Sequence, residues 1–252
     1  MSRFIFSVSV GVVLGLGACA SKPPPEEPKP AQPASGSEST SQSAAKDDSL
    51  AGHMQANFRL GLEMRDAVIQ GNLQLAQQKA RDLGWQDYRK VLPAHWMDGV
   101  AKMQAAARTV AEARDLAEAS QHVAELAATC GDCHARLPRR AQDAEQEHGF
   151  SAKGPEDIQT RMARHERAAD GMWFGLSIPS DASWRVGARA LTEAPLSAPQ
   201  VEGKPVDPAL GAKMEAVRDI GRRALEAEQA PDRIKVFGEL ISSCAGCHAR
   251  QS

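Results

Sequence analysis

Two five-residue stretches constrain this chain more than anything else in it. They are Cys130-Gly131-Asp132-Cys133-His134 and Cys244-Ala245-Gly246-Cys247-His248. Cys-x-x-Cys-His is the attachment signature of c-type haem. On a helix, positions i, i+3 and i+4 share one face. Two thiols so placed can form thioethers to the two vinyl groups of a haem, while the adjacent imidazole reaches the iron as proximal ligand. A single Cys-x-x-Cys also serves as a redox disulfide or as half of a zinc site. Here there are two copies, each followed by His and then Ala-Arg. The expectation is therefore two covalently bound haem c groups, attached at Cys130 and Cys133 and at Cys244 and Cys247, with His134 and His248 on the irons.

The four motif cysteines leave one of the five unassigned, Cys19. Residues 1–18 carry Arg3, an apolar run from Phe4 to Leu16, and small residues at Gly17 and Ala18. That pattern predicts a signal peptide. It resembles the lipobox of bacterial lipoproteins, which implies that Cys19 becomes the lipidated first residue of the mature protein. The apolar run is short for a comfortable span, so a hydrocarbon anchor is expected rather than a spanning helix. A plain secreted protein cut nearby, or a retained anchor, is the alternative. Residues 19–50 contain Pro23-Pro24-Pro25-Glu26-Glu27-Pro28-Lys29-Pro30 and a Ser, Gly and Ala tract. Such a segment cannot bury enough apolar surface to fold and reads as a tether. The expected location is the bacterial cell envelope, lipid-anchored and facing the periplasm.

Beyond residue 50 the pattern is helical. Period-two alternation is nearly absent, so the fold class expected is all-α with no sheet. The formal net charge of -2 gives no basic field for nucleic acid. Leu60, Met64, Ala67 and Val68 recur at helical spacing over 51–70, and Gly71-Asn72 should end that helix and cap the next. Further helices are expected over Leu73–Leu83 and Trp96–Ala113. Asp115-Leu116-Ala117-Glu118 reads as a capping box that opens a fourth, with Leu116, Val123, Leu126 and Cys130 on one side. The charged, Gly- and Pro-bearing stretch 138–155 marks a boundary, which gives expected haem domains at 51–140 and 150–252.

The pattern then repeats. Met162-x-x-His165 follows Met54-x-x-Asn57 by 108 residues, and Ala188-Arg189-Ala190-Leu191 follows Ala80-Arg81-Asp82-Leu83 by the same offset. Ala212-Lys213-Met214 follows Ala101-Lys102-Met103 by 111, and Glu239-Leu240 follows Glu125-Leu126 by 114. The ordered set argues for duplication of one unit. In the second copy, Ser180-Asp181 can cap the short second helix, and a connector runs from Pro195 to Pro208. Pro231 opens a last helix whose apolar side is Ile234, Phe237, Leu240, Ile241 and Cys244.

Four helices per unit with the motif at the end of the last resembles the cytochrome c-prime class of four-helix-bundle cytochromes, over about residues 51–137 and 156–252. The second unit is also similar to short bacterial haem domains whose first helix carries Met-x-x-His. The resemblance implies two tandem four-helix-bundle haem domains, with the residue over each open haem face supplied by the first helix. In the second unit that points to His165, with Met162 and Met172 nearby. In the first unit Asn57 stands there, and an amide is a poor iron ligand. His53, at i-4 from Asn57 and so on nearly the same face, ranks first in its place. Met54 ranks next, Met64 is a further thioether choice, and an open five-coordinate iron is the alternative. The four tryptophans, Trp85, Trp96, Trp173 and Trp184, are expected in core or haem-pocket packing. Arg136 and Arg250 stand where they could pair with propionates or simply end a helix in solvent.

The function expected is that of a membrane-tethered dihaem c-type cytochrome passing single electrons between redox protein partners that the sequence does not identify. It is not expected to be an enzyme. The alternative is gas binding or sensing at an open iron, which the missing His in the first unit favours. The sequence shows no distal acid–base pair for peroxidase chemistry.

Overall fold

Gly71 and Asn72 make the first chain reversal in the computed structural model of the protein, which describes residues 49–136, 158–192, 200–201, 204–205 and 208–248. Gly71 takes φ 77°, a left-handed conformation that a side chain would strain. Its N–H bonds the Val68 carbonyl (2.9 Å), and the Asn72 N–H reaches back to Ala67 (2.8 Å), closing the end of α1 (Leu50–Ile69). The Asn72 side-chain oxygen then accepts from the Leu75 N–H at 2.9 Å and opens α2 (Leu73–Gly84). The expected stop and cap are both present.

A 3-10 turn (Ala94–Trp96) leads into α3 (Met97–Glu112), and α4 (Leu116–His134) follows. Asp115 caps α4 through the Glu118 N–H at 2.8 Å. The reciprocal half of the box is displaced by one residue. The Glu118 carboxylate accepts from the Arg114 N–H (2.7 Å), because the Arg114 guanidinium also holds it at 3.0 Å. The second set is α5 (Ile158–Ser177), α6 (Asp181–Thr192), α7 (Pro208–Glu226) and α8 (Ala230–His248). Ser180 caps α6 through the Ser183 N–H at 3.2 Å, and Pro231 lies in the first turn of α8.

The fold is all-α. Among the described residues the one departure is a two-residue antiparallel pair, β1 (Gln200–Val201) with β2 (Lys204–Pro205), in the connector read as sheet-free. Two residues are too short a run to show alternation in the sequence.

Helices α1 to α4 pack in chain order and α4 returns to α1, and α5 to α8 do the same. The two sets also pack on each other, with α4 lying along both α8 and α5, and α1 against α8. Trp173 of α5 centres this seam, with the rings of Phe58 and Phe237 at 6.4 and 6.2 Å. Arg65 of α1 crosses it to Asp170 of α5 at 2.7 Å. The core is accordingly continuous across both sets, from Met64 of α1 to Ile241 of α8.

The two sets of helices make one contact differently. In the first set, Lys79 of α2 pairs with Glu63 of α1 at 2.7 Å. The residues 108 positions later are Gly187 and Gly171, where the backbones of α6 and α5 meet. A Cβ built on Gly171 would lie 3.1 Å from the Gly187 Cα, and one on Gly175 would lie 2.7 Å from the Trp184 Cβ.

No described helix is long and apolar enough to cross a membrane. The expected signal peptide, Cys19 and nearly all of the tether fall outside the described residues, as does the whole of the 138–155 boundary. Ser49 and Leu50, read as the tether's end, are the N-cap and first residue of α1.

Candidate cofactor site

Each motif forms the last five residues of a helix, α4 or α8, so both cysteines and the histidine share one face. The four thiols are free and partly covered. Burial pushes the Cys130 thiol up to about 12, with Cys133 adding to the effect, and burial likewise pushes Cys244 up to about 12. Both are protonated at neutral pH.

The first motif is enclosed by neighbours. A Cβ on Gly131 would collide with the carbonyl oxygen of Leu176 and lie 3.4 Å from the Pro179 Cγ, so the end of α5 abuts α4 there. His134 Nδ1 lies 2.7 Å from the Ser177 carbonyl oxygen. A carbonyl can only accept, so Nδ1 carries the hydrogen and the Nε2 lone pair is left for a metal. At the start of α3, a Cβ on Gly99 would lie 3.5 Å from Cys133 Sγ, so the absence of a side chain leaves room beside that sulfur.

His53 sits in the first turn of α1, at the same end of the first set as this motif. The start of α3 touches Cys133, and Tyr88, in the segment joining α2 to α3, donates to Asn57 Oδ1 at 2.7 Å. His53 Nε2 is buried without a hydrogen-bond partner. Most buried polar side-chain atoms are paired; this one, like Asn57 Nδ2 one turn further on, is not, and an imidazole nitrogen is the donor that a haem iron would need on its open side. Asn57 is buried and committed to Tyr88. Met54 is half-buried against the core, and Met64 is fully buried within it.

At the second motif, Lys213 near the start of α7 donates to the Gly246 carbonyl at 2.8 Å, and a Cβ on Gly246 would meet nothing within 4 Å. His165 is half-buried on α5, and Met162, one turn before it, is 39% exposed. Met172 packs into the α5–α6 seam, with its Cγ 2.9 Å from a Cβ built on Gly187. Arg65 is buried, bonded to Asp66 at 2.7 Å, and near enough to Cys244 to oppose the effect of burial on that thiol.

The motifs lie at opposite ends of the central helices. The end of α4 meets the end of α5 at Ser177, and Arg233 in the first turn of α8 pairs with Asp181, the first residue of α6, at 2.7 Å. The start of α8 therefore lies beside the end of α4, and its motif lies roughly 20 Å further along the axis at 1.5 Å per residue.

Two tryptophans, Trp173 and Trp184, are core as expected, and Trp96 is half-buried. Trp85 is not core. It follows the end of α2, is 59% exposed, and lies under the Arg108 guanidinium at 5.9 Å. Arg136 is exposed, and Arg250 falls outside the described residues. Nothing in the sequence marks Ser177, whose contribution is a backbone oxygen. Tyr88, the chain's one tyrosine, and Gly99 carry signals too weak to be read alone.

Among the described residues no three His, Cys, Asp or Glu side chains converge to hold a bare metal ion. No family model, curated protein or solved structure matches the chain.

Proposed function

We propose that this protein is a dihaem c-type cytochrome, built as two tandem four-helix haem units and tethered by a lipid on Cys19 in the bacterial envelope. The single observation that carries the reading is the pairing of two Cys-x-x-Cys-His helix ends with a buried, unpartnered His53 Nε2 at the end of the first unit. Cys130, Cys133, Cys244 and Cys247 would hold two haem c groups, with His134 and His248 as proximal ligands. His53 and His165 would close the opposite faces. Haem held there supplies reversible one-electron chemistry at iron. The chain's own residues orient and shield. The Ser177 carbonyl selects the His134 tautomer, Gly99 leaves space beside Cys133, and burial keeps the thiols of Cys130 and Cys244 protonated and inert until attachment. No bond-making chemistry is assigned to the protein, and its partners are other redox proteins.

The test is a visible spectrum of the reduced holoprotein, made in cells with haem-attachment machinery, with and without carbon monoxide, followed by acid–acetone extraction. Two haems per chain resisting extraction, with no shift on carbon monoxide, is the result expected. A chain that carries no covalent porphyrin overturns the reading. A carbon monoxide shift at one haem points instead to gas binding at an open iron.

A further inference from the structure

The bond from His134 crosses from the first repeat to the second. Its acceptor is the last residue of α5, and the final carbonyls of a helix have no intrahelical donor. They also form the negative pole of the helix dipole, equivalent to about half an electronic charge. We infer that the C-terminal pole of α5, acting through the Ser177 carbonyl, orients and polarises His134, so that the second repeat tunes the iron site of the first. This rests on the haem reading above.

The acceptor is held in place from several sides. Leu176 and Pro179 press on Gly131, the Ser177 hydroxyl donates to the Trp173 carbonyl at 2.9 Å, and the Ile178 N–H closes on Phe174 at 2.9 Å. Trp173 itself is buried between Phe58 and Phe237. An imidazole that donates its second N–H to a fixed carbonyl is a more basic ligand. A more basic ligand stabilises the oxidised iron and lowers its midpoint potential. The second motif has a different neighbour, the Lys213 ammonium at the Gly246 carbonyl, and positive charge favours the reduced iron. Ser177 is thus a positioning residue by its backbone, and the two sites are made electrically unlike by what flanks them.

The experiment is a redox titration of the full holoprotein in which His134 is replaced by Nδ1-methylhistidine, which keeps Nε2 and loses the N–H. Gly131→Ala is the second variant, since its Cβ drives the end of α5 away from α4. Haem content per chain is measured first in each. The expected result is two covalent haems, with one midpoint raised in both variants and the other unmoved. Unchanged midpoints with both haems attached overturn the inference, as do two midpoints that move together, which would report a global change. A parent protein without covalent haem overturns the haem reading itself, and is told apart by the haem count.

Discussion

Gly187→Ala tests how α5 and α6 are held together. The new Cβ would lie 2.6 Å from the Ala168 carbonyl oxygen, 2.8 Å from the Met172 nitrogen and 2.9 Å from the Met172 Cγ. Two of these atoms are backbone and cannot rotate away. Overpacking of this kind costs about 1–3 kcal/mol, and contact with backbone on two sides places this site at the upper end. Replacing Gly by Ala inside a helix returns up to about 1 kcal/mol. The net expectation is a loss of about 2 kcal/mol, or about 4–8 °C in Tm for a chain of this size. Urea unfolding followed by far-ultraviolet circular dichroism reads it. Gly246→Ala is the contrast, because nothing lies within 4 Å of its Cβ, and it should be neutral or gain up to about 1 kcal/mol. Between α1 and α2, Lys79→Ala removes only a part-exposed ion pair with Glu63 and should cost under about 1 kcal/mol. A Gly187→Ala protein as stable as the parent would refute the backbone-on-backbone account of this seam.

Four further outcomes are expected. Tyr88→Phe leaves the buried Asn57 Oδ1 without its donor and should cost about 1–3 kcal/mol in urea denaturation. Burial pushes the Tyr88 phenol up to about 12, so its neutral form is favoured in the folded state, and the stability it confers is intact below pH 10. That stability should fall as pH rises from about 10 to 12, a component of the urea midpoint that Tyr88→Phe lacks. In folded protein made without haem, Cys130 and Cys244 should alkylate roughly a thousandfold more slowly at pH 8 than in the urea-unfolded chain, as mass spectrometry of the labelled peptides would show. Equal rates would remove the buried-thiol argument. Trp184→Phe leaves the buried Ala224 carbonyl, now bonded at 2.8 Å, without its indole donor and shrinks the ring beneath Arg233. It should cost about 2 kcal/mol or more, and a loss under about 0.5 would contradict the bond.

Local chemistry was legible from residue order wherever neighbours in sequence are also neighbours in space. Gly71-Asn72, Asp115 and Ser180 act on backbone groups within a few residues of themselves, and each does in the fold what its position predicts. The helical placement of both motifs was legible for the same reason. What the sequence hid was whatever depends on distant partners. The Ser177 carbonyl has no side-chain identity to betray it, and its distance from His134 is 43 residues along the chain. The replacement of Glu63 and Lys79 by Gly171 and Gly187 is visible as an offset of 108, but only the packing shows that a pair of glycines does the work of an ion pair. Trp85 looked like core because tryptophan usually is, yet a side chain just past a helix end can rest on a surface arginine instead.

Because α4 and α8 run past one another in opposite directions, the two Cys-x-x-Cys-His turns face away from each other along the helical pair. On the proposed haem reading, a partner docked at one turn would leave the other turn uncovered, about 20 Å away along the axis.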